Sequence, residues 1–176
     1  MKAEPAKAHR NPVRGVKLLK ENNTRVRVLA DAEEDRLMKA LPEYLKPFLV
    51  LALHTGMRWG ELARLEWKDV DFDVRTLTVT EAKSGEGRRI PMNQVVSNTL
   101  QHFRRTRRAF SGLIFQAPEG GFLHNFRRTW ARAVKDAGIT NFRFHDLRHT
   151  AASRLVMAGT DLLYTVKEIL GHRRSR

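Results

Sequence analysis

The chain has 176 residues, with 33 lysines and arginines against 19 aspartates and glutamates, and a formal net charge of +14. This length supports one hydrophobic core, and the positive excess favours a polyanionic partner such as nucleic acid, although many single lysines only solvate the surface. The chain has no cysteine, which excludes disulfides and thiolate chemistry. It has no apolar run near the ~20 residues of a membrane span and its N-terminus is polar, so we expect neither a membrane span nor an export signal.

The leading segment, residues 1–28, is rich in lysine, arginine and polar residues and shows little apolar periodicity. Such a composition is typical of a linker or arm. The ordered domain is predicted to cover residues 29–176.

Two helices are predicted at the start of this domain. Asp31 and Glu34 have the spacing of a capping box, which predicts a helix that starts at Asp31 and ends before Pro42. A second helix has apolar residues at helical spacing and stops at Gly56. Arg58 is therefore expected in a tight connection that is held from both sides.

The sequence period then changes from helical to alternating. Residues 76–80 alternate threonine with Leu or Val, which predicts a half-buried strand. Residues 84–87 form a turn and residues 88–91 return as a second strand, so the hairpin has Lys83 at its tip. Residues 113–115 are predicted to pair as a third strand.

Four more helices complete the prediction. Asn93 caps the first of them, and an apolar stripe from Phe122 to Ala137, closed by Gly138, indicates the second. The last two cover residues 145–158 and 161–170. The expected fold is mainly α with a small antiparallel β-sheet, in the α+β class.

Basic side chains in three separate stretches have the chemistry of a phosphate pocket. His145 and Arg148 are three residues apart on a helix, so they project from one face at its N-terminal end, where anions are favoured. Arg58 and His172 would complete a set of two guanidiniums and two imidazoles around one phosphate, if the fold brings them together.

The motifs that carry these residues resemble those of the tyrosine recombinases, the phage-integrase family of DNA strand-transfer enzymes. Residues 55–62 (TGMRWGEL) look like the family's first-arginine box, with Arg58 binding phosphate and Glu61 as its supporting carboxylate. Residues 145–150 (HDLRHT) match the box of the second histidine and arginine, and residues 170–172 (LGH) match the last histidine position. Lys83 lies where the family has its hairpin lysine.

The resemblance implies a catalytic domain that cleaves and rejoins DNA strands by phosphoryl transfer without a cofactor. Arg58 and Arg148 would neutralise the phosphate oxygens that gain charge, and Lys83 would protonate the leaving 5′ oxygen. His145 and His172 would orient the nucleophile or move its proton. The expected partner is double-stranded DNA in the cytoplasm of a bacterium or phage-infected cell, where the protein would be nucleoid-associated.

The end of the chain departs from the family pattern. The family's nucleophilic tyrosine follows the LGH motif by a couple of helical turns, whereas this sequence stops at Arg176. We therefore expect a catalytic domain at residues 29–176 that is truncated before its nucleophile, preceded by a linker from a missing core-binding domain, and inactive for covalent cleavage. Tyr164 precedes His172 and is expected to pack rather than attack. A homo-oligomer on DNA is compatible with the full-length protein.

Other interpretations remain open at this stage. His145, His149 and His172 could bind zinc, but Arg148 would put a fixed positive charge beside the ion, so we expect no metal. A DNA-binding module without chemistry, or a regulatory fragment of an integrase, would use the helix of Trp130 in a groove. The arginines expected to contact DNA are Arg88, Arg89, Arg127 and Arg128, with Arg132 added in the module interpretation.

Overall fold

The structure, a computed structural model, describes residues 27–80, 87–107 and 112–158. The described part contains six α-helices, two 3-10 turns and a three-stranded antiparallel sheet, which confirms the predicted fold class. The helices are α1 (Asp31–Ala40), α2 (Lys46–Thr55), α3 (Trp59–Ala63), α4 (Gln94–Arg107), α5 (Phe126–Asp136) and α6 (Asp146–Met157). The strands are β1 (Val70–Asp71), β2 (Thr76–Thr80) and β3 (Gly87–Pro91), and the 3-10 turns are Glu43–Leu45 and Trp67–Asp69.

Helix α1 begins where the sequence predicts, but its cap differs. Ala30 is the N-cap residue, and Glu33, not Glu34, reaches back so that its Oε2 accepts a hydrogen bond from the Ala30 N–H at 3.1 Å. Asp31 lies one residue inside the helix, where its negative charge still favours the positive helix end. The predicted pair of capping residues was therefore wrong by one position.

Helix α2 is buried over most of its surface and ends at Gly56, as predicted. Gly56 has φ of +62°, the left-handed conformation that glycine adopts without a Cβ clash, and its N–H donates to the Ala52 carbonyl. The chain then turns within two residues into α3, whose N-cap is Arg58. This confirms the prediction that Arg58 lies in a tight connection between two helices.

The sheet has the order β1-β2-β3, and its third strand is not the predicted one. Val70 pairs with Leu77 and Asp71 with Thr76, so β1 occupies the free edge of β2. Leu113 makes only an isolated bridge to Glu66. Strand β1 lies four residues before β2, so closing that short loop costs little chain entropy, whereas residues 113–115 are far away in sequence.

The later helices follow the predicted spans with one shift. Asn93 caps α4, because its side-chain oxygen accepts a hydrogen bond from the Val96 N–H at 3.0 Å. Helix α5 begins at Phe126, four residues after the start of the apolar stripe, because residues 122–123 are not helical and residues 124–125 form a turn. Gly138 ends it with φ of +63°.

A single hydrophobic core joins the helices to the sheet, and Phe48 of α2 lies near its centre. Its ring contacts those of Phe115, Phe126 and Phe144, with centroid distances of 4.9, 5.1 and 5.6 Å. Phe144 immediately precedes His145. The aromatic packing therefore fixes the turn that leads into α6.

The segment before α1 and the first turn of α1 are held to α6 by a hydrogen bond and by ion pairs. The Leu29 N–H donates to Thr150 Oγ1 at 2.9 Å, and that hydroxyl donates to the Asp146 carbonyl at 3.0 Å. On the next turn of α6, Arg154 forms ion pairs with Asp31 and Glu34. The start of the domain is thus bonded to the helix that carries His145 and Arg148.

Several sequence predictions lie outside the described residues. These are Lys83 at the hairpin tip, Tyr164, His172, the helix at 161–170 and nearly all of the leading segment. Among the described helices, none is long and apolar enough to span a membrane.

Candidate active site

Arg58 and Glu61 form the first contact of the site, across the first turn of α3. The Arg58 backbone N–H donates to Glu61 Oε2 at 2.7 Å, which caps the helix, and Arg58 Nη1 donates to Glu61 Oε1 at 2.9 Å. The Arg58 side chain is 41% exposed, whereas that of Glu61 is 13% exposed. One carboxylate therefore fixes both the backbone and the guanidinium of Arg58 while part of that guanidinium faces solvent.

Arg88 of β3 grips the same carboxylate. Its Nη1 donates to Glu61 Oε1 at 3.0 Å and its Nη2 to Oε2 at 2.8 Å, the forked geometry that guanidinium and carboxylate groups prefer. Burial would raise the pKa of Glu61, but the hydrogen bonds from Arg88 and Arg58 outweigh it, so the pKa lies below its ordinary value. Glu61 is therefore a carboxylate throughout the neutral range.

Arg148 lies on α6 beside this cluster and is only 4% exposed. Its Nη1 donates to the Gly56 carbonyl at 2.8 Å, two residues before Arg58. Burial, the largest cause, and the positive charges of Arg58 and Arg88 together lower the pKa of Arg148 to about 10, against the opposing effect of Glu61. Arg148 is still protonated at neutral pH. Its lowered pKa reflects its burial and the closeness of the two other guanidiniums.

His145 is the N-cap residue of α6, one turn before Arg148, and its side chain is exposed. Its ring meets that of His149 edge to face, with centroids 5.5 Å apart. Partial burial lowers the pKa of His145, and the nearby His149, Arg148 and Arg58 add to this effect while Asp146 opposes it. His145 is therefore mostly neutral at pH 7, with a hydrogen-bonding ring nitrogen available for proton transfer.

The net charge of this cluster favours an anion. Arg58, Arg88 and Arg148 bring three positive charges, and Glu61 brings one negative charge. Like charges that are close together repel more strongly where the dielectric constant is low. A bound anion offsets the excess positive charge and is therefore stabilised there. A tetrahedral oxyanion such as a phosphate matches the forked donors.

Exposed cations and an aromatic groove extend outward from the cluster. A cavity of about 610 Å³ is lined by Trp59, Trp130, Phe144, His145 and other residues of α5 and the turn before α6. Arg127 lines it as well, and Arg128 and Arg89 are exposed. Positive charge therefore continues beyond the cluster, which suits an extended polyanion.

The zinc interpretation finds no support in the described ranges. His145 and His149 are close, but residues 27–80, 87–107 and 112–158 contain no group of three His, Asp or Glu side chains that could hold a metal. The third proposed ligand, His172, lies outside those ranges.

The structure assigns Arg88 a partner that sequence reasoning did not. We predicted that Arg88 contacts DNA together with Arg89, yet the two point to opposite faces of β3. Arg88 is two residues before the buried Ile90, so strand alternation puts both on the inner face, while Arg89 is exposed. This alternation was visible in the sequence. The Gly56 carbonyl, the acceptor for Arg148, had no sequence signal of its own.

Known proteins resemble the chain over most of its length. The sequence profile of the phage integrase family matches residues 27–176. The shufflon-specific DNA recombinase of Escherichia coli is 32% identical over 166 residues, covering 93% of this chain and 41% of that protein. The integrase of Escherichia phage P2 is 31% identical over 164 residues, covering 93% of this chain and 45% of that protein. The chain therefore spans less than half the length of these two relatives.

Among solved structures, the catalytic domain of bacteriophage HP1 integrase has a similar fold. It matches with a TM-score of 0.66 at 26% sequence identity, covering 84% of this chain and 82% of that one. The two chains thus correspond over nearly a whole domain.

Proposed function

Since this chain belongs to the phage integrase family, we propose that its residues 29–176 act as the catalytic domain of a site-specific DNA recombinase, which cleaves and rejoins DNA strands by phosphoryl transfer. The observation that carries this proposal is the meeting of Arg58 and Arg148. They lie 90 positions apart in sequence, yet Arg148 donates to the carbonyl of Gly56, within the turn that holds Arg58.

The chemistry of the cluster fits the reaction. In phosphoryl transfer an attacking oxygen bonds to phosphorus while the bond to the 5′ oxygen breaks, and the non-bridging oxygens carry extra charge in the transition state. Arg58 and Arg148 would hold those oxygens with charge-assisted hydrogen bonds. Neutral His145 would accept the proton that the attacking oxygen loses, and Lys83 would supply the proton that the 5′ oxygen gains. We propose that His172 supports the same phosphate.

Double-stranded DNA is the proposed partner. The net charge of +14 and the exposed Arg89, Arg127 and Arg128 supply a basic surface outside the cluster. The similar protein of Escherichia coli is by name a DNA recombinase. We further propose that the chain acts in the cytoplasm, associated with the nucleoid, and that the full-length protein assembles as a homo-oligomer on its DNA.

Two binding measurements test the proposal with the chain as it is. Orthovanadate mimics a five-coordinate phosphate, and vanadium NMR line broadening reports its binding to the protein; fluorescence anisotropy reports the binding of a labelled DNA duplex. We expect Arg58→Met and Arg148→Met to lose most of the vanadate affinity, because transition-state mimics depend on the groups that hold the transferred phosphate. Both variants should keep most of their non-specific DNA affinity.

The control is Arg105→Met, which removes an exposed charge near the end of α4, a helix that contributes no residue to the cluster. It should leave vanadate binding unchanged. Equal losses in all three variants would refute a defined pocket. DNA binding without any vanadate binding in the unmodified chain would instead favour a non-catalytic, DNA-binding part of an integrase.

A further inference from the structure

Glu61 accepts hydrogen bonds from four donors, and two arginines compete for it. Oε1 accepts from Arg58 Nη1 and Arg88 Nη1, and Oε2 accepts from the Arg58 backbone N–H and Arg88 Nη2. Arg88 contacts the two oxygens with its two terminal nitrogens, whereas Arg58 contacts one oxygen with Nη1 and the other with its backbone N–H. The Arg88 side chain is as well buried as that of Glu61, each 13% exposed, so solvent screens this ion pair weakly.

The position of Glu61 matters because it lies three residues after Arg58, one turn along α3. At that spacing the carboxylate is able to turn and grip the Arg58 guanidinium in a fork of its own. Such a grip would neutralise Arg58 and point its donors away from an anion. In the structure the fork belongs to Arg88, and the Arg58 side chain remains 41% exposed.

We propose that Arg88 is a positioning residue for phosphoryl transfer: it holds both oxygens of Glu61 in a fork, so that the carboxylate orients the Arg58 guanidinium through its contact with Nη1 and does not grip it in a fork of its own. This inference rests on the function proposed above for the same site. It replaces the earlier expectation that Arg88 contacts DNA, because its guanidinium faces Glu61 on the inner side of β3.

The test is a suppressor experiment read by orthovanadate binding. Arg88→Met should weaken vanadate binding about tenfold, the scale of losing one charge-assisted hydrogen bond. Arg88→Lys should weaken it nearly as much, because an ammonium cannot fork a carboxylate, and this variant keeps the charge if Arg88→Met folds poorly. Adding Glu61→Gln to Arg88→Met should restore binding to within about threefold, since an amide does not neutralise Arg58.

A direct contact between Arg88 and the anion predicts the opposite. In that case Glu61→Gln would leave the loss caused by Arg88→Met unchanged, and that result would overturn the proposal. Unchanged vanadate affinity of Arg88→Lys would overturn it as well, because charge alone would then suffice.

A second readout separates this inference from the proposed function. NMR of the arginine side chains reports how freely the Arg58 guanidinium rotates. Arg88→Met should slow that rotation because Glu61 then grips Arg58, whereas Arg89→Met, one residue away on the outer face, should not change it. If the unmodified protein did not bind vanadate, the proposed function would be contradicted. The rotation rate of the Arg58 guanidinium would still test the role of Arg88.

Discussion

Thr150 connects the start of the domain to the helix of the site, and its replacement by valine tests how much that connection stabilises the fold. The two side chains have nearly the same shape, so Thr150→Val leaves no cavity. It removes the acceptor of the Leu29 N–H, in a place where Thr150 is 0% and Leu29 is 2% exposed. Water cannot reach the abandoned donor, and a buried unsatisfied group costs about 1–3 kcal/mol.

We therefore expect Thr150→Val to lower the free energy of unfolding by about 2 kcal/mol. For a domain of this size that corresponds to a fall in Tm of about 4–8 °C. Urea titration followed by circular dichroism measures the change, and the slope of the unfolding free energy with urea should stay constant, because the surface exposed on unfolding does not change. Thr150→Ser keeps the acceptor and should lose about 1 kcal/mol, for its buried methyl group.

The matched control is Thr106→Val on α4. Thr106 is exposed, and its hydroxyl donates to the carbonyls of His102 and Phe103 in its own helix. The same substitution should change stability there by less than about 0.5 kcal/mol. If Thr150→Val were no more destabilising than Thr106→Val, the link between Leu29 and Thr150 would contribute nothing and the reasoning would be wrong.

Two further predictions concern His145 and Gly56. An anion bound at the cluster should raise the pKa of His145, which lies below the ordinary 6.5 in the free protein, so binding near that pH takes up protons. In the free protein the folded state binds the His145 proton more weakly than the unfolded state does, because its pKa is lowered on folding. The free energy of unfolding is therefore highest above pH 6.5 and falls as the pH drops below that value. Calorimetry of vanadate binding in buffers of different ionisation enthalpy measures the uptake, which His145→Gln should abolish and the exposed His102→Gln should preserve. Gly56→Ala forces a left-handed alanine and should cost about 1–2 kcal/mol in urea unfolding while weakening vanadate binding. Gly138→Ala, with φ of +63° and open space around the new Cβ, should show a similar strain with unchanged vanadate binding, and equal binding by both variants would contradict a role for the Gly56 carbonyl.

Local patterns in the sequence were sufficient for most of the described helices and for the pairing of β2 with β3. Gly56 and Gly138 end helices as predicted, and the alternation in residues 76–80 gives strand β2. These signals work because the cause is local: glycine tolerates positive φ, and a strand with one buried face alternates. Composition and spacing alone do not distinguish Arg58 and Arg148 from the many other arginines. The family resemblance identified these two.

Long-range partners were beyond such reasoning. The Leu29 N–H finds its acceptor 121 residues away, and no periodic pattern encodes one tertiary hydrogen bond. The third strand was misassigned for the same reason, since residues 113–115 have strand composition but β2 takes the nearer partner β1. For Arg88, strand alternation already indicates an inward position beside Ile90, and only the identity of its partner, Glu61, required the structure.

The hydrogen bond from Arg148 to the Gly56 carbonyl determines when the Arg148 side chain loses its conformational freedom. A long arginine side chain that is loose in solution must lose its rotamer freedom at the moment a ligand arrives, and affinity suffers accordingly. Here the loss takes place once, during folding, when burial and that carbonyl fix the guanidinium. An incoming anion therefore meets a buried arginine whose position is already set, beside the more exposed Arg58, which Glu61 holds.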